Sequence, residues 1–568
     1  MTDTSIDTTE ERIPGSAGRA LSLRRAMRWF TSLDGHDVAT VILFAALVVL
    51  AFLTFRDYAI SNDEPVQHHY GELILRYYAS GFHDRSVFNF ENLYLYGGLF
   101  DIIAVGLSHV LPLDPYALRH ILCALIGLSG IGAAALTARL IAGPRAGLIA
   151  AIALSVCGAW YGTMFNHTKD IPFAAAMMGA MLFLIRIVHA LPRPRAGDVA
   201  AFGLLAGAAL GMRSLGLLLL IYVGLAIALY LPRPFYLPRS WLDRAGRRFV
   251  VESSLRIAPG LLLAYAVMIL AWPWAALAPL NPIRGLFAFS QFHYDIRTVL
   301  DGKIYEMAHV PRLYVPTYIL IRVPVLMLFG AMLGLVFALR SSLAAVSAQA
   351  RHRDIVLIGM AVIFPLACQV IWDGPAFTGL RHFLFVIPAL AVIAGIGLDA
   401  AVTALATRSR VLAFACLAAI SAGFAWNAAT LVELHPYEYL FYNPLVGGLQ
   451  GASRRYVTDY WFASMPEAIH QLEAYVRHTG HAGLDGKPPV YAVAVCGERL
   501  AFEKAVRLPE LHFAPRWDRY QFFIAPTHMN CDRALDGKVV GTVKRLGVVI
   551  ATIKDHRALT GPVASATR

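Results

Sequence analysis

Two adjacent acids, Asp63 and Glu64, open the first long polar stretch after an apolar run. A further acid, Asp170, stands in Asn166-His167-Thr168-Lys169-Asp170-Ile171-Pro172, where a short polar turn enters another apolar run. Two cationic positions are placed in the same way. Arg213 lies between two apolar runs, and Arg381-His382 directly precedes a third. Acids at a membrane edge are costly unless solvated, paired or functional. A carboxylate can take the proton from an attacking hydroxyl or amine. A guanidinium matches phosphate geometry and can be set in advance for the charge that develops on a leaving phosphate. These residue types point to group transfer from a donor that leaves as a phosphate.

Each position also has a plainer reading. Asn62 or Asp63 can cap a helix whose first turn holds Pro65, and Asp170 can cap one opened by Pro172. The arginines can snorkel to headgroups. Glu64, His68 and Glu72 share one helix face at metal-capable spacing, yet on a wet helix they read better as a solvated face.

The elements that must position these groups follow from composition. Of 568 residues, 58% are hydrophobic and 15% charged; soluble domains run about 45–50% and about 25%. With mean hydropathy +0.57, a soluble enzyme, a disordered chain and a disulfide scaffold are excluded, and a polytopic membrane protein remains. A crossing helix needs about 20 apolar residues. Spans are predicted at 38–55, 121–140, 146–164, 171–188, 199–212, 215–231, 257–277, 314–339, 355–372, 383–398 and 411–426, eleven in all. The run 97–111 carries Asp101 and ends at Pro112. Leaving it out places Arg145, Arg193, Arg195, Arg340, Arg351, Arg353, Arg408 and Arg410 in inner loops, as the positive-inside rule requires. It is therefore read as an interfacial helix.

This threading gives a cytoplasmic tail over 1–37, in which no signal peptide is evident, and a transmembrane domain over 38–428 with a long outer loop at 56–119. A C-terminal domain over 429–568 falls on the outer side. Its β-branched runs at 490–495 and 539–553 predict strands in a small α/β fold. Cys496 and Cys531 lie there and can pair if that side is oxidising; the other four cysteines fall in apolar runs. The formal net charge of +12 reflects loop arginines, with none of the aromatic–basic interleaving that would suggest nucleic acid. There is no Gly-rich phosphate loop with suitable flanks.

On these residues the chain resembles the GT-C membrane glycosyltransferases, in the branch of the protein O-mannosyltransferases and aminoarabinose transferases. Asp63-Glu64 matches that family's acidic first-loop motif, and Asp170 its second acid. Arg213 stands where relatives often carry a basic residue. Leu380-Arg381-His382-Phe383 with Pro388 resembles a late Arg-aromatic-Pro segment, and Pro311-Arg312-x-Tyr314 a loop of bacterial members. The most specific match is the ordered string His435-Pro436-Tyr437, Tyr442-Asn443, Gly447-Gly448, Gly451-Ala452 and Asp459-Tyr460-Trp461. His382 departs from the usual aromatic. No Trp-Trp-Asp-Tyr-Gly string and no inserted β-trefoil region occur, which sets the oligosaccharyltransferase and eukaryotic branches apart.

The resemblance implies an inverting transferase that moves a sugar from an undecaprenyl-phosphate donor to an envelope glycolipid or protein at the periplasmic face of the bacterial inner membrane. It implies Asp63 as base, Asp170 and Glu64 as supporting catalytic groups, and Arg213, Arg381, His382, Lys169, His167, Tyr442 and Asn443 as substrate contacts. No cofactor is implied; assistance by a divalent cation stays open. Two other readings compete. A transporter or flippase of a lipid-linked sugar would favour charges at mid-bilayer and paired repeats, whereas here the acids gather at one face and no repeat is visible. A non-catalytic sensor or assembly subunit would work through its C-terminal domain.

Overall fold

The computed structural model describes residues 34–232, 243–290, 296–341, 346–372, 374, 376, 378–479 and 489–557. The N-terminal tail therefore lies outside the described residues. The expected architecture, a helical membrane body followed by a small α/β domain, is the one observed. The body contains α1 (Gly35–Thr54), α2 (Glu64–Ala79), α3 (Leu99–Ser108), α4 (Pro115–Ala142), α5 (Pro144–Ser155), α6 (Asp170–His189), α7 (Ala196–Leu210), α8 (Leu218–Leu229), α9 (Arg244–Ala271), α10 (Tyr314–Arg322), α11 (Val325–Ser341), α12 (Val346–Trp372), α13 (Ile387–Ala406) and α14 (Arg410–Leu434). Each expected span overlaps one or two of these helices.

Among the described residues, seven helices are long and apolar enough to cross a membrane, or eight if the bent pair α10–α11 counts as one span. Helices α5, α7 and α8 are shorter. The expected continuous span 146–164 breaks after Ser155, and a short helical turn, Gly158–Tyr161, follows. The break admits the segment after the last span. A Cβ on Gly158 would lie 2.4 Å from Phe441 Cβ, and one on Gly162 2.1 Å from Tyr439 N. The expected span 314–339 bends by 113° between α10 and α11. Pro324 explains the bend, because it lacks an N–H and pushes Val323 to an extended conformation (φ −87°, ψ 140°). The run 97–111 forms the ten-residue α3, roughly 15 Å long and too short to cross.

Helices α6 and α13 form the interior, with 89% and 83% of their apolar windows buried, against 17% for α1 and α14. Glycine lets backbones meet. Gly397 on α13 would place a Cβ 2.0 Å from Gly330 O on α11, and Gly203 on α7 one 2.4 Å from Gly260 O on α9. The long loop after α1 docks by the same means. A Cβ on Gly97 would lie 2.0 Å from Gly211 O. The amides of Gly98 and Leu99 donate to Ala271 O and Gly211 O at 3.0 and 3.1 Å.

The C-terminal domain is a five-stranded sheet, order β4-β3-β5-β7-β6, following a separate hairpin of β1 (Arg297–Leu300) and β2 (Lys303–Glu306). Strands β3 (Tyr491–Val495), β4 (Leu511–Phe513) and β5 (Phe522–Pro526) are parallel. Strands β6 (Lys538–Arg545) and β7 (Val548–Asp555) are antiparallel additions. The run 539–553 is thus a hairpin rather than one strand, turned at Leu546 and Gly547, both with positive φ. Helix α15 (Met465–Thr479) packs across β5, β6 and β7. Arg454 pairs with Asp532 at 2.7 Å, and Arg545 reaches Glu467 at 2.8 Å and His435 O at 3.1 Å.

Cys496 and Cys531 form a disulfide across a sequence separation of 35. Closing a loop of that length stabilises a domain by about 3–4 kcal/mol in the chain-entropy account. Replacing both cysteines by serine should lower the unfolding free energy of the C-terminal domain by that order. The wild-type chain should also show a reduction-sensitive gel mobility that the double variant lacks.

Candidate functional site

The two acids and two guanidiniums that the sequence singles out meet in one chain of ion pairs. The Arg381 Nη2 donates to Asp63 Oδ2, and its Nε donates to Asp170 Oδ2 at 2.9 Å. The Arg213 Nη2 donates to the other oxygen of Asp170, Oδ1. Sequence separations of 318, 211 and 43 residues are closed by these three contacts. Asp63 occupies the position before α2, but its side chain makes no capping bond. Asp170 begins α6, and its carboxylate likewise goes to the guanidiniums. Capping therefore does not account for either acid. Nor does snorkelling account for the arginines, whose side chains are only 13% (Arg213) and 11% (Arg381) exposed.

The cluster is asymmetric. The Asp170 side chain is 3% exposed and has both oxygens engaged by cations. The Asp63 side chain is 31% exposed, the most open of the four. Lys169 extends the positive side. Its Nζ lies 4.2 Å from the centre of the Tyr96 ring, and the Arg213 guanidinium lies 5.7 Å from the same ring. The Lys169 ammonium makes no hydrogen bond or ion pair among the described residues, and Arg213 Nε has no hydrogen-bond partner. Burial lowers the Lys169 pKa to about 8, opposed by the nearby Asp101 and Asp170 carboxylates. Two cations held beside one aromatic face with donors to spare make an anion-binding corner.

The far side is built by His167 together with Tyr460 and Trp461, two residues whose role the sequence leaves open. Trp461 lies beneath Arg381, ring centre to guanidinium 4.9 Å, and its ring sits 4.0 Å from that of His167. His167 Nε2 pairs with the Tyr460 hydroxyl. Burial holds His167 well below the usual imidazole range, so the ring is neutral. Asp459, in the same Asp-Tyr-Trp string, is engaged by its own loop and by Tyr439. It accepts from the Ser464 hydroxyl at 2.5 Å, from the amides of Ala463 and Ser464 at 2.7 and 3.1 Å, and from the Tyr439 hydroxyl. It pins the loop that carries Tyr460 and Trp461.

The other named residues are placed differently. His382 follows Arg381 in the same 3-10 turn, partly buried and within electrostatic reach of Arg213. Glu64 turns inward and is fully buried. It accepts from Ser61 N at 2.7 Å and contacts His120 at 3.2 Å. It does not join His68 and Glu72, and no group of three metal-capable side chains occurs among the described residues. Asn443 is spent on the break at Pro324. Its Nδ2 donates to Leu320 O and Val323 O at 2.7 and 2.8 Å, supplying the freed carbonyls. The Tyr442 hydroxyl donates to Val457 O at 2.6 Å, and its ring covers the buried Arg322 at 4.7 Å. Sequence reasoning missed Tyr96, Arg119 and Arg322; a cation inside an apolar run is a signal for Arg322 alone.

Residues 117–274 match the dolichyl-phosphate-mannose–protein mannosyltransferase family, a stretch that includes His167, Lys169, Asp170 and Arg213. No curated protein sequence matches the chain. Among solved structures, the chain is similar to ArnT from Cupriavidus metallidurans bound to undecaprenyl phosphate, with 16% identity, 90% of this chain and 97% of that one covered, and a TM-score of 0.47. It is also similar to the apo oligosaccharyltransferase of Archaeoglobus fulgidus, with 13% identity, 83% and 64% covered, and a TM-score of 0.44.

Removing one partner from a buried ion pair leaves the others uncompensated, a cost of about 3–5 kcal/mol. Asp170→Ala should therefore lower the thermal midpoint clearly. Asp63→Asn, at a more open position, should move it little. Thermal unfolding of the two purified variants checks the contrast.

Proposed function

We propose that this chain, a membrane glycosyltransferase, moves a sugar from undecaprenyl phosphate to an envelope acceptor at the outer membrane face, with inversion at the anomeric carbon. The observation that carries the reading is the Asp63–Arg381–Asp170–Arg213 chain with Lys169 beside it. Asp63, the open acid, takes the proton from the acceptor hydroxyl or amine as that atom attacks the anomeric carbon. The bond from that carbon to the phosphate oxygen breaks on the opposite side, and the phosphate departs toward Lys169, Arg213 and Arg381. Asp170 keeps both guanidiniums in place.

The charges balance through this step. Two carboxylates (Asp63, Asp170) against three cations (Lys169, Arg213, Arg381) leave one positive charge, which matches the single negative charge of a sugar phosphodiester. Protonation of Asp63 raises the site to two positive charges as the leaving monophosphate gains its second negative charge. Electrostatic stabilisation set in place beforehand in this way is the largest single contribution to many enzymatic rates. A donor with one phosphate needs no more than these side chains.

The outer orientation is supported by the loop arginines and by the disulfide, which persists in oxidising compartments. In this reading the cluster and the C-terminal domain lie on the periplasmic side of the bacterial inner membrane. A reporter fused after Trp426 should be active only there. A flippase would need its charges within the bilayer rather than gathered with one solvent-open acid.

Asp63→Asn should abolish transfer, a loss of roughly 10²–10⁴-fold for a missing general base, at normal expression. Mass spectrometry of envelope glycolipids and glycoproteins from a deletion strain should show one sugar missing, restored by wild type and not by Asp63→Asn. Restoration by Asp63→Asn would overturn the reading. Affinity for undecaprenyl phosphate should fall as pH rises through about 8, where Lys169 loses its charge. Lys169→Arg should hold that affinity toward about pH 10, because guanidinium stays protonated. Titration of binding against pH checks this.

A further inference from the structure

A second buried polar cluster lies behind the acids, and the proposed mechanism does not use it. Its centre is Arg119 on α4, whose side chain is 0% exposed. The Nη2 of Arg119 donates to Asp101 Oδ1 on α3 at 2.7 Å, to Thr168 Oγ1 at 3.0 Å and to Gln67 Oε1 on α2 at 3.2 Å. Thr168 Oγ1 in turn donates to Gln67 Oε1 at 2.8 Å. Glu64 flanks the cluster, with Oε1 4.0 Å from Arg119 Nε. Ser61 bonds to both sides, to Glu64 Oε2 at 3.1 Å and to Asn166 O at 3.2 Å.

The connectivity matters more than the number of contacts. One acid-bearing segment runs through Ser61, Glu64 and Gln67, with Asp63 inside it. The other runs through Asn166 and Thr168, with Asp170 two residues on. Arg119 and Ser61 bond to both segments, and Asp101 ties the assembly to α3, which also docks beside Arg213 through Gly97 and Gly98. A buried arginine is expensive to desolvate and adds little net stability when paired. A neutral packed core could fill the same space, so the retained charge fits a geometric role.

We infer that Arg119 is a positioning residue that fixes the separation of Asp63 from Asp170 by clamping α2 to the 166–170 turn. It touches neither acid and acts through Gln67, Thr168 and Glu64. The inference rests on the glycosyltransferase reading for its effect on turnover and stands on the geometry alone for its effect on order.

The test uses the full-length protein in lipid nanodiscs and in a deletion strain. Arg119→Met should speed amide hydrogen exchange at least tenfold in residues 61–70 and 163–170, leaving α13 and the C-terminal sheet unchanged. Affinity for undecaprenyl phosphate alone should stay within threefold of wild type, and sugar transferred in the strain should fall at least a hundredfold. Arg119→Lys, which keeps one charged donor, should recover part of both readouts. Should Arg119→Met prove globally unfolded, Gln67→Ala and Thr168→Val each remove two bonds of the cluster and keep the arginine, and should each cut transfer about tenfold in a folded protein. Unchanged exchange in both segments, or transfer near wild type in folded Arg119→Met, Gln67→Ala or Thr168→Val, overturns the inference. If wild type itself transfers no sugar, the glycosyltransferase reading has failed, and the exchange measurement still decides the clamp.

Discussion

Charge that leaves water must find opposite charge, and this constraint organises the acid-bearing end of the helical body. Asp170 sits almost fully buried at the head of α6, the most enclosed helix of the body. It is tolerable there only because Arg213 and Arg381 each hold one of its oxygens. Arg381 then has a donor left for Asp63. Three pieces of chain far apart in sequence are drawn together by this one requirement. The same requirement leaves Asp63 as the acid with room in front of it. The paired guanidiniums are thus what lets this fold bury an acid at that place.

Close backbone approach does the remaining work of assembly. Gly97 against Gly211 brings the loop after α1 onto the turn that carries Arg213, and Gly158 and Gly162 admit the segment around Tyr439 and Phe441. That segment anchors Asp459 through the Tyr439 hydroxyl, and Asp459 holds the loop that lays Trp461 beneath Arg381. The turn 166–170 feeds both sides of the site, Lys169 into the cation corner at Tyr96 and His167 into the neutral wall, which Tyr460 and Trp461 complete from far along the chain.

Much of this is legible in the sequence because the signals are local. An acid or arginine where an apolar run begins or ends is visible without knowing what it will meet, and the span positions follow from run length alone. The pairing itself is not local: nothing between residues 63 and 381 announces that they touch. Helix breaks are also hidden. Pro324 was in plain view, yet a run of apolar residues on both sides reads as one span. The break after Ser155 has no proline at all and depends on a distant segment needing room. Arg119 reads as an ordinary arginine near a helix start, and only packing from three sides shows it to be enclosed. Glu64 reads as a pair with Asp63 because the two are neighbours in sequence, whereas successive residues at a helix start point about 100° apart, so the two diverge into different surroundings.

The capping of the broken helix by Asn443 carries a consequence for how the molecule can be divided. Its amide group answers the carbonyls that Pro324 strands at the end of α10, and its backbone N–H answers a third at Ile321. The stretch leading out of the last helix is thus a keystone of the lipid-embedded half, not a tether. A cut made to liberate the sheet as a free-standing piece belongs beyond that stretch, near the start of α15. A cut placed earlier would carry the stopper away with the bottle's neck left open.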